Sequence, residues 1–164
     1  MGYAFSMSSE AIFRQVVAKT AAEHGLPLEM EDGLCVFEVD GLTFQAEVVE
    51  ADKALLLSVP IGKMEATDRP GWGQAMLARS LDKPSCLSGY ALDRDRGLVL
   101  LLRPLSVADC QDDGFYAALT AFLAEASEER RQFFDLVMAG QESAAGDVES
   151  VAGAAEDETN WIRG

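Results

Sequence analysis

The stretch CLSGYALDRDRGLVLLLRPL, residues 86–105, constrains the fold more than any other part of the chain. Two apolar runs flank the polar turn Asp93-Arg94-Asp95-Arg96-Gly97, the pattern of a β-hairpin. The second run, Leu98 to Leu102, has no polar break. Successive side chains of a strand alternate between its faces, so both faces of this one are apolar. One face can pack on a layer of helices. The other, left wet, would form a contiguous patch of a kind that soluble monomers seldom carry. The residues alone therefore predict a dimer or a peptide binder.

The rest of the chain supplies the helices and a sheet. Ser8 or Ser9 caps a helix with Glu10 in its first turn and an apolar stripe of Ile12, Phe13, Val16, Val17, Thr20 and Ala21, and Gly25 and Pro27 end it. Three strands follow at Leu34–Val39, Leu42–Val49 and Ala54–Val59. Asp40-Gly41 between the first two is a tight-hairpin signal, because both turn positions need positive φ. Leu42, Phe44, Ala46 and Val48 alternate with Thr43, Gln45 and Glu47, as in a sheet with one buried face. Asp68 and Pro70 open a short second helix with Trp72, Ala75, Met76 and Arg79 on one side. After the hairpin, Asp112 or Asp113 caps a long helix carrying Phe115, Leu119, Phe122, Ala126, Phe133 and Val137.

The predicted order is α-β-β-β-α-β-β-α, an α+β fold with helices on an antiparallel sheet. Residues 1–139 make a single domain. Residues 140–164, with 6 acidic residues, 1 basic residue and much Ala, Gly and Ser, read as a flexible acidic tail.

A net charge of −15 argues against nucleic acid and anionic membrane surfaces as partners. Cys35, Cys86 and Cys110 are odd in number and widely spaced, which indicates neither a disulfide framework nor a zinc site and favours a reduced, cytoplasmic compartment. The N-terminus lacks the basic region and apolar core of a secretory signal, and no apolar run reaches membrane-spanning length.

The inventory for catalysis is thin. The one histidine, His24, sits at a helix C-terminus, where the helix dipole explains a polar ring. Asp93 and Asp95 resemble the start of a calcium loop, but Arg94 and Arg96 interrupt it and Pro104 occupies the twelfth position. Cys110 has no basic neighbour in sequence to activate it. No cofactor, metal or catalytic residue is predicted. The rival readings are a small enzyme with an unrecognised site and an interaction adaptor.

The element order, together with LLLSVPIGKM (55–64), GWGQAMLARSL (71–81) and the hairpin leading into FYAALTAFLAEA (115–126), resembles the class I type III secretion chaperones, the Tir chaperone (CesT-like) family. The likeness spans residues 8–138. Two features depart from the family: the acidic tail, and Trp72 between two glycines.

The resemblance implies a bacterial cytoplasmic homodimer that holds the N-terminal segment of a secreted effector in extended form, without catalysis. It places Trp72, Met76, Leu77, Tyr90, Leu92, Val99 and Leu101 at the dimer interface. It places Ile12, Phe13, Val36, Phe37, Phe44, Leu55 and Leu57 in the effector groove. On this reading the second face of the Leu98–Leu102 strand is covered by a second copy across a two-fold axis.

Overall fold

The computed structural model describes residues 8–63, 76, 78 and 88–153. Helix α1 spans Ser9–His24 and starts where Ser8 Oγ accepts the Ala11 N–H at 3.2 Å. Its first turn is also tied to the sheet, since the Glu10 N–H donates to the Glu50 carboxylate at 2.9 Å. Gly25, at φ 65°, ends the helix by turning the chain left-handed, and the N–H groups of Gly25 and Leu26 both return to the Ala21 carbonyl.

Six strands follow: β1 (Met30–Glu31), β2 (Leu34–Val39), β3 (Leu42–Val49), β4 (Ala54–Lys63), β5 (Gly89–Asp93) and β6 (Leu98–Ser106). All neighbours are antiparallel, in the order β1-β2-β3-β4-β6-β5. The Asp40-Gly41 turn has φ 53° and 72°, as its sequence requires. A second turn of the same kind, Asp32-Gly33 at φ 48° and 77°, lies where the charged run Glu29, Glu31 and Asp32 marks a turn, and the short strand β1 that it pairs with β2 was not expected.

Strand β4 runs four residues past its expected end at Val59. Pro60 is tolerated because the pairing of β4 with β3 stops at Ser58, leaving β4 paired with β6 alone there. The register then slips between Pro60 and Gly62, a bulge that turns Ile61 and Gly62 alike toward the helices.

A 3-10 turn, Ala108–Cys110, links β6 to helix α2, Gly114–Gly153. The expectation that the helix ends at Gly140 is corrected: it continues for 13 residues. Six of those residues, Gln141, Glu142, Ala144, Ala145, Glu149 and Ala152, are good helix formers, and extending a helix costs far less than nucleating one, so isolated glycines do not stop it. Of the expected second helix, Met76 and Ala78 are described and are helical.

Helices α1 and α2 cover one face of the sheet. Phe13, Phe44, Phe115 and Phe122 are the largest fully buried side chains, joined by Leu55, Leu57, Val59, Val99 and Leu101. Phe44 meets Phe122 edge-on at 6.1 Å and stacks on Phe37 at 5.5 Å. Each such side chain contributes about 1.5–3 kcal/mol by leaving water. Among the described residues, no helix is long and apolar enough to cross a membrane.

Candidate functional site

The sheet's other face carries no helix among the described residues. Register places Thr43, Gln45 and Glu47 of β3, Leu56, Ser58 and Pro60 of β4, and Leu98, Leu100 and Leu102 of β6 on it. These residues line a shallow groove of about 650 Å³, closed at one end by Asp93, Asp95 and Arg96 from the β5–β6 turn. Arg96 is held there by its N–H, which donates to Asp93 Oδ1 at 3.0 Å. The floor is leucine and proline and the β3 wall is polar.

The residues expected at a dimer interface divide. Tyr90, Leu92, Val99 and Leu101 do share one face, because Tyr90 pairs with Leu101 and Leu92 with Val99. It is the face toward the helices. Val99 and Leu101 are 0 % exposed in the protomer's own core, and Met76 is buried as well. The Tyr90 hydroxyl donates to the Glu129 carboxylate of α2, and Ser88 Oγ donates to Glu125 one helical turn earlier, at 2.6 Å. Leu92 is exposed at the sheet edge. Trp72 and Leu77 lie outside the described residues. The large apolar residues on the open face are Leu34 and Val36 of β2 and Leu56, Leu98, Leu100 and Leu102 of β4 and β6, and the sequence signal for those of β6 was the alternation in β5: its large residues pair toward the core and the small Gly89 and Ala91 pair with Leu102 and Leu100.

The expected groove residues divide in the same way. Phe13, Phe44, Leu55 and Leu57 are core. Ile12, Phe37 and Val36 are accessible, Val36 at 50 %. Ile12 lines a hollow of about 320 Å³ with Val16 of α1 and with Val107 and Cys110 of the 3-10 turn. Phe37 lines a smaller one, about 60 Å³, with Leu26, Leu28, Leu119 and Leu123.

The main chain of β2 adds an edge beside these side chains. The Val48 N–H donates to the Gly33 carbonyl at 2.8 Å, which sets the ladder's phase. Every second residue from Gly33 points its main-chain groups at β3, so those of Val36 and Glu38 point away. Pairing with β1 stops at Cys35, and no described strand lies beyond.

Groups capable of covalent chemistry are placed unfavourably for it. Burial, and then the charge of Asp109, pushes the Cys110 thiol up to about 11, and burial raises Cys35 too. His24 is exposed, its ring stacked on Tyr116 at 3.6 Å. Glu23, His24 and Asp113 have ligand atoms within 4.8 Å of one another, but all three are exposed and no buried donor fixes their geometry. Cys86 lies outside the described residues.

Comparison with known proteins gives the same architecture. One chain of the ExsC–ExsE complex superposes with a TM-score of 0.65 at 18 % identity, covering 76 % of this chain and 96 % of that one. A chain of the HopA1–SchA chaperone–effector complex gives 0.58 at 21 % identity, covering 78 % and 97 %. A chain of the ExoT–SpcS complex from Pseudomonas aeruginosa gives 0.50 at 18 %, covering 72 % and 96 %. No curated protein matches the chain in sequence. The model of the Tir chaperone protein (CesT) family matches residues 15–130, and the chain belongs to that family.

Proposed function

We propose that this protein is a bacterial cytoplasmic chaperone of type III secretion. As a homodimer it binds the N-terminal segment of a secreted effector in extended form and keeps it soluble and competent for secretion. The observation that carries this is the edge of β2: main-chain groups at Val36 and Glu38 directed away from the sheet, with exposed Val36 beside them and the Phe37 hollow next to them. An extended chain added there gains main-chain hydrogen bonds, while its side chains are selected by the hollows at Phe37 and Ile12. Two of the structural neighbours support the reading through the complexes they belong to, ExsC–ExsE and the HopA1–SchA chaperone–effector complex.

Such binding needs no nucleotide, metal or turnover, and it orders a chain that is disordered when free. The second copy covers the open sheet face through Leu98, Leu100 and Leu102, and the resemblance adds Trp72 and Leu77 to that contact. Residues 1–139 act as the folded unit, and residues 140–164 are dispensable for it.

The test is limited proteolysis of the N-terminal region of an effector encoded beside this protein, with and without saturating chaperone. Protection without acquisition of a globular fold is expected. Unchanged cleavage, or capture that requires the effector's folded C-terminal domain, rejects the reading in favour of an adaptor.

A further inference from the structure

Among the described residues the Arg103 Nε has no hydrogen-bond partner, in a chain that has 28 acidic residues to 13 basic ones. It stands on the helix-side face of β6 opposite Leu57, and its Nε is buried and makes no hydrogen bond. A buried donor left unmade costs about 1–3 kcal/mol. Asp109 is the acid whose charge it feels, yet Asp109 is already engaged. Its Oδ2 accepts both the N–H and the hydroxyl of Ser106, each at 2.7 Å, while its own N–H donates to Ser106 Oγ at 3.2 Å. Those bonds, and less strongly the charge of Arg103, hold the Asp109 carboxyl below its usual range.

Arg103 borders a hollow of about 310 Å³ whose other walls include Pro104, Leu105, Ala117 and Ala118. The hollow has a rigid rim. Gly114 begins α2 hard against the Asp109 carbonyl, where no Cβ would fit. The 3-10 turn that forms this rim also forms, on its other side, a wall of the Ile12–Val16 hollow. A segment lying along α1 and crossing the turn therefore reaches Arg103.

We infer that Arg103 is the docking point for a side-chain carboxylate of the carried segment. The inference rests on the chaperone reading above. A guanidinium matches a carboxylate with two parallel hydrogen bonds, and apolar walls strengthen them. The fixed charge of Asp109 disfavours a dianion, which selects a carboxylate over a phosphate. One such contact sets the register of an extended ligand whose remaining path, past Ile12 and Val16, is lined by both apolar and exposed polar side chains.

The experiment titrates the full-length, 15N-labelled protein with N-acetyl-glutamate methylamide, with the glutamine analogue and with inorganic phosphate. It follows the Arg103 Nε–Hε signal and the amides of residues 103–118. Saturable shifts with the glutamate compound are expected, with binding at least about tenfold weaker for the glutamine compound. Arg103→Gln should abolish the difference and Arg103→Lys should keep part of it. If Arg103→Gln fails to fold, the comparison of the two compounds on the unaltered protein still decides. Equal binding of the two compounds, no saturable shift, or tighter binding of phosphate overturns the inference. Effector protection without probe binding removes this inference alone, whereas probe binding without protection removes the chaperone reading and leaves Arg103 a carboxylate site.

Discussion

The ring of Phe133 lies on the Cα of Gly62, so close that any side chain at position 62 would stand inside the ring's contact distance. The contact exists because the bulge after Pro60 turns two consecutive residues toward α2, and only a residue without a Cβ leaves room for the phenylalanine. Gly62→Ala should therefore cost about 1–3 kcal/mol, the usual penalty for overpacking a filled core. Chemical denaturation of the two proteins checks it. Equal midpoints would mean that α2 is not seated on β4 in this way.

The two faces of β6 make opposite predictions for neighbouring leucines. Leu101 is fully buried under the helices, so Leu101→Asp should prevent folding. Leu100 points to the open face, so Leu100→Asp should leave a folded protomer with normal circular dichroism but shift it from dimer to monomer in light scattering coupled to size exclusion. A protein that is already monomeric at micromolar concentration would remove the second copy from the open face.

Cys110 should be inert. Its thiol, held near 11, is neutral at pH 8, so alkylation by iodoacetamide should be slow in the native protein and fast after denaturation. The pH dependence follows from the direction of the shift. An acid whose folded pKa lies above its unfolded value of 9.0 contributes stability that is complete below pH 9 and is lost as pH rises toward 11. Cys110→Ala should flatten that alkaline fall in melting temperature.

How much of this was legible in the sequence depended on whether a residue's own neighbours decided its fate. Asp40-Gly41 fixed a turn and a register by itself, and the strands on either side lie at Leu34–Val39 and Leu42–Val49 as expected. Asp32-Gly33 carried the same signal, but the strand before it is two residues long, too short to show a period. The set Tyr90, Leu92, Val99 and Leu101 was legible as one face; which face was not. An unbroken run of leucines looks alike from both sides; the alternation of large and small residues in β5 was the one hint, and the hydroxyl–carboxylate contacts from Ser88 and Tyr90 to α2 decide it. Groove and core were inseparable for a related reason: Phe37 and Phe44 sit opposite each other in adjacent strands, yet Phe44 is fully buried against Phe122 while Phe37 stays accessible beside Leu119 and Leu123. Arg103 gave no signal, since its lack of a partner is a property of the folded molecule.

Tyr90→Phe should destabilise the protein by about 1–2 kcal/mol, because it strips a donor from a carboxylate that is only 9 % exposed. A double-mutant cycle with Glu129→Gln separates the pair from its surroundings, and a coupling of about 0.5–3 kcal/mol is expected for groups in direct contact. Additive effects would show that the Tyr90–Glu129 pair does not hold β5 to α2.

The edge of β2 is the place where a single charge should abolish function without touching the fold. Val36 is half exposed, on the sheet face away from the helices, and little of its burial is lost when it is replaced. Val36→Lys puts a long cation on the rim of that edge, a device by which natural sheets prevent strands from adding. Val36→Thr keeps the β-branched shape and the strand preference while leaving the edge uncharged. If the carried segment adds as a strand beside Val36 and Glu38, the lysine variant should lose protection of the effector's N-terminal region while the threonine variant keeps it. Both should retain the melting temperature and dimer of the parent. Protection that survives Val36→Lys undiminished would place the segment elsewhere on the molecule, and the hollow at Ile12 and Val16 would then carry the binding alone.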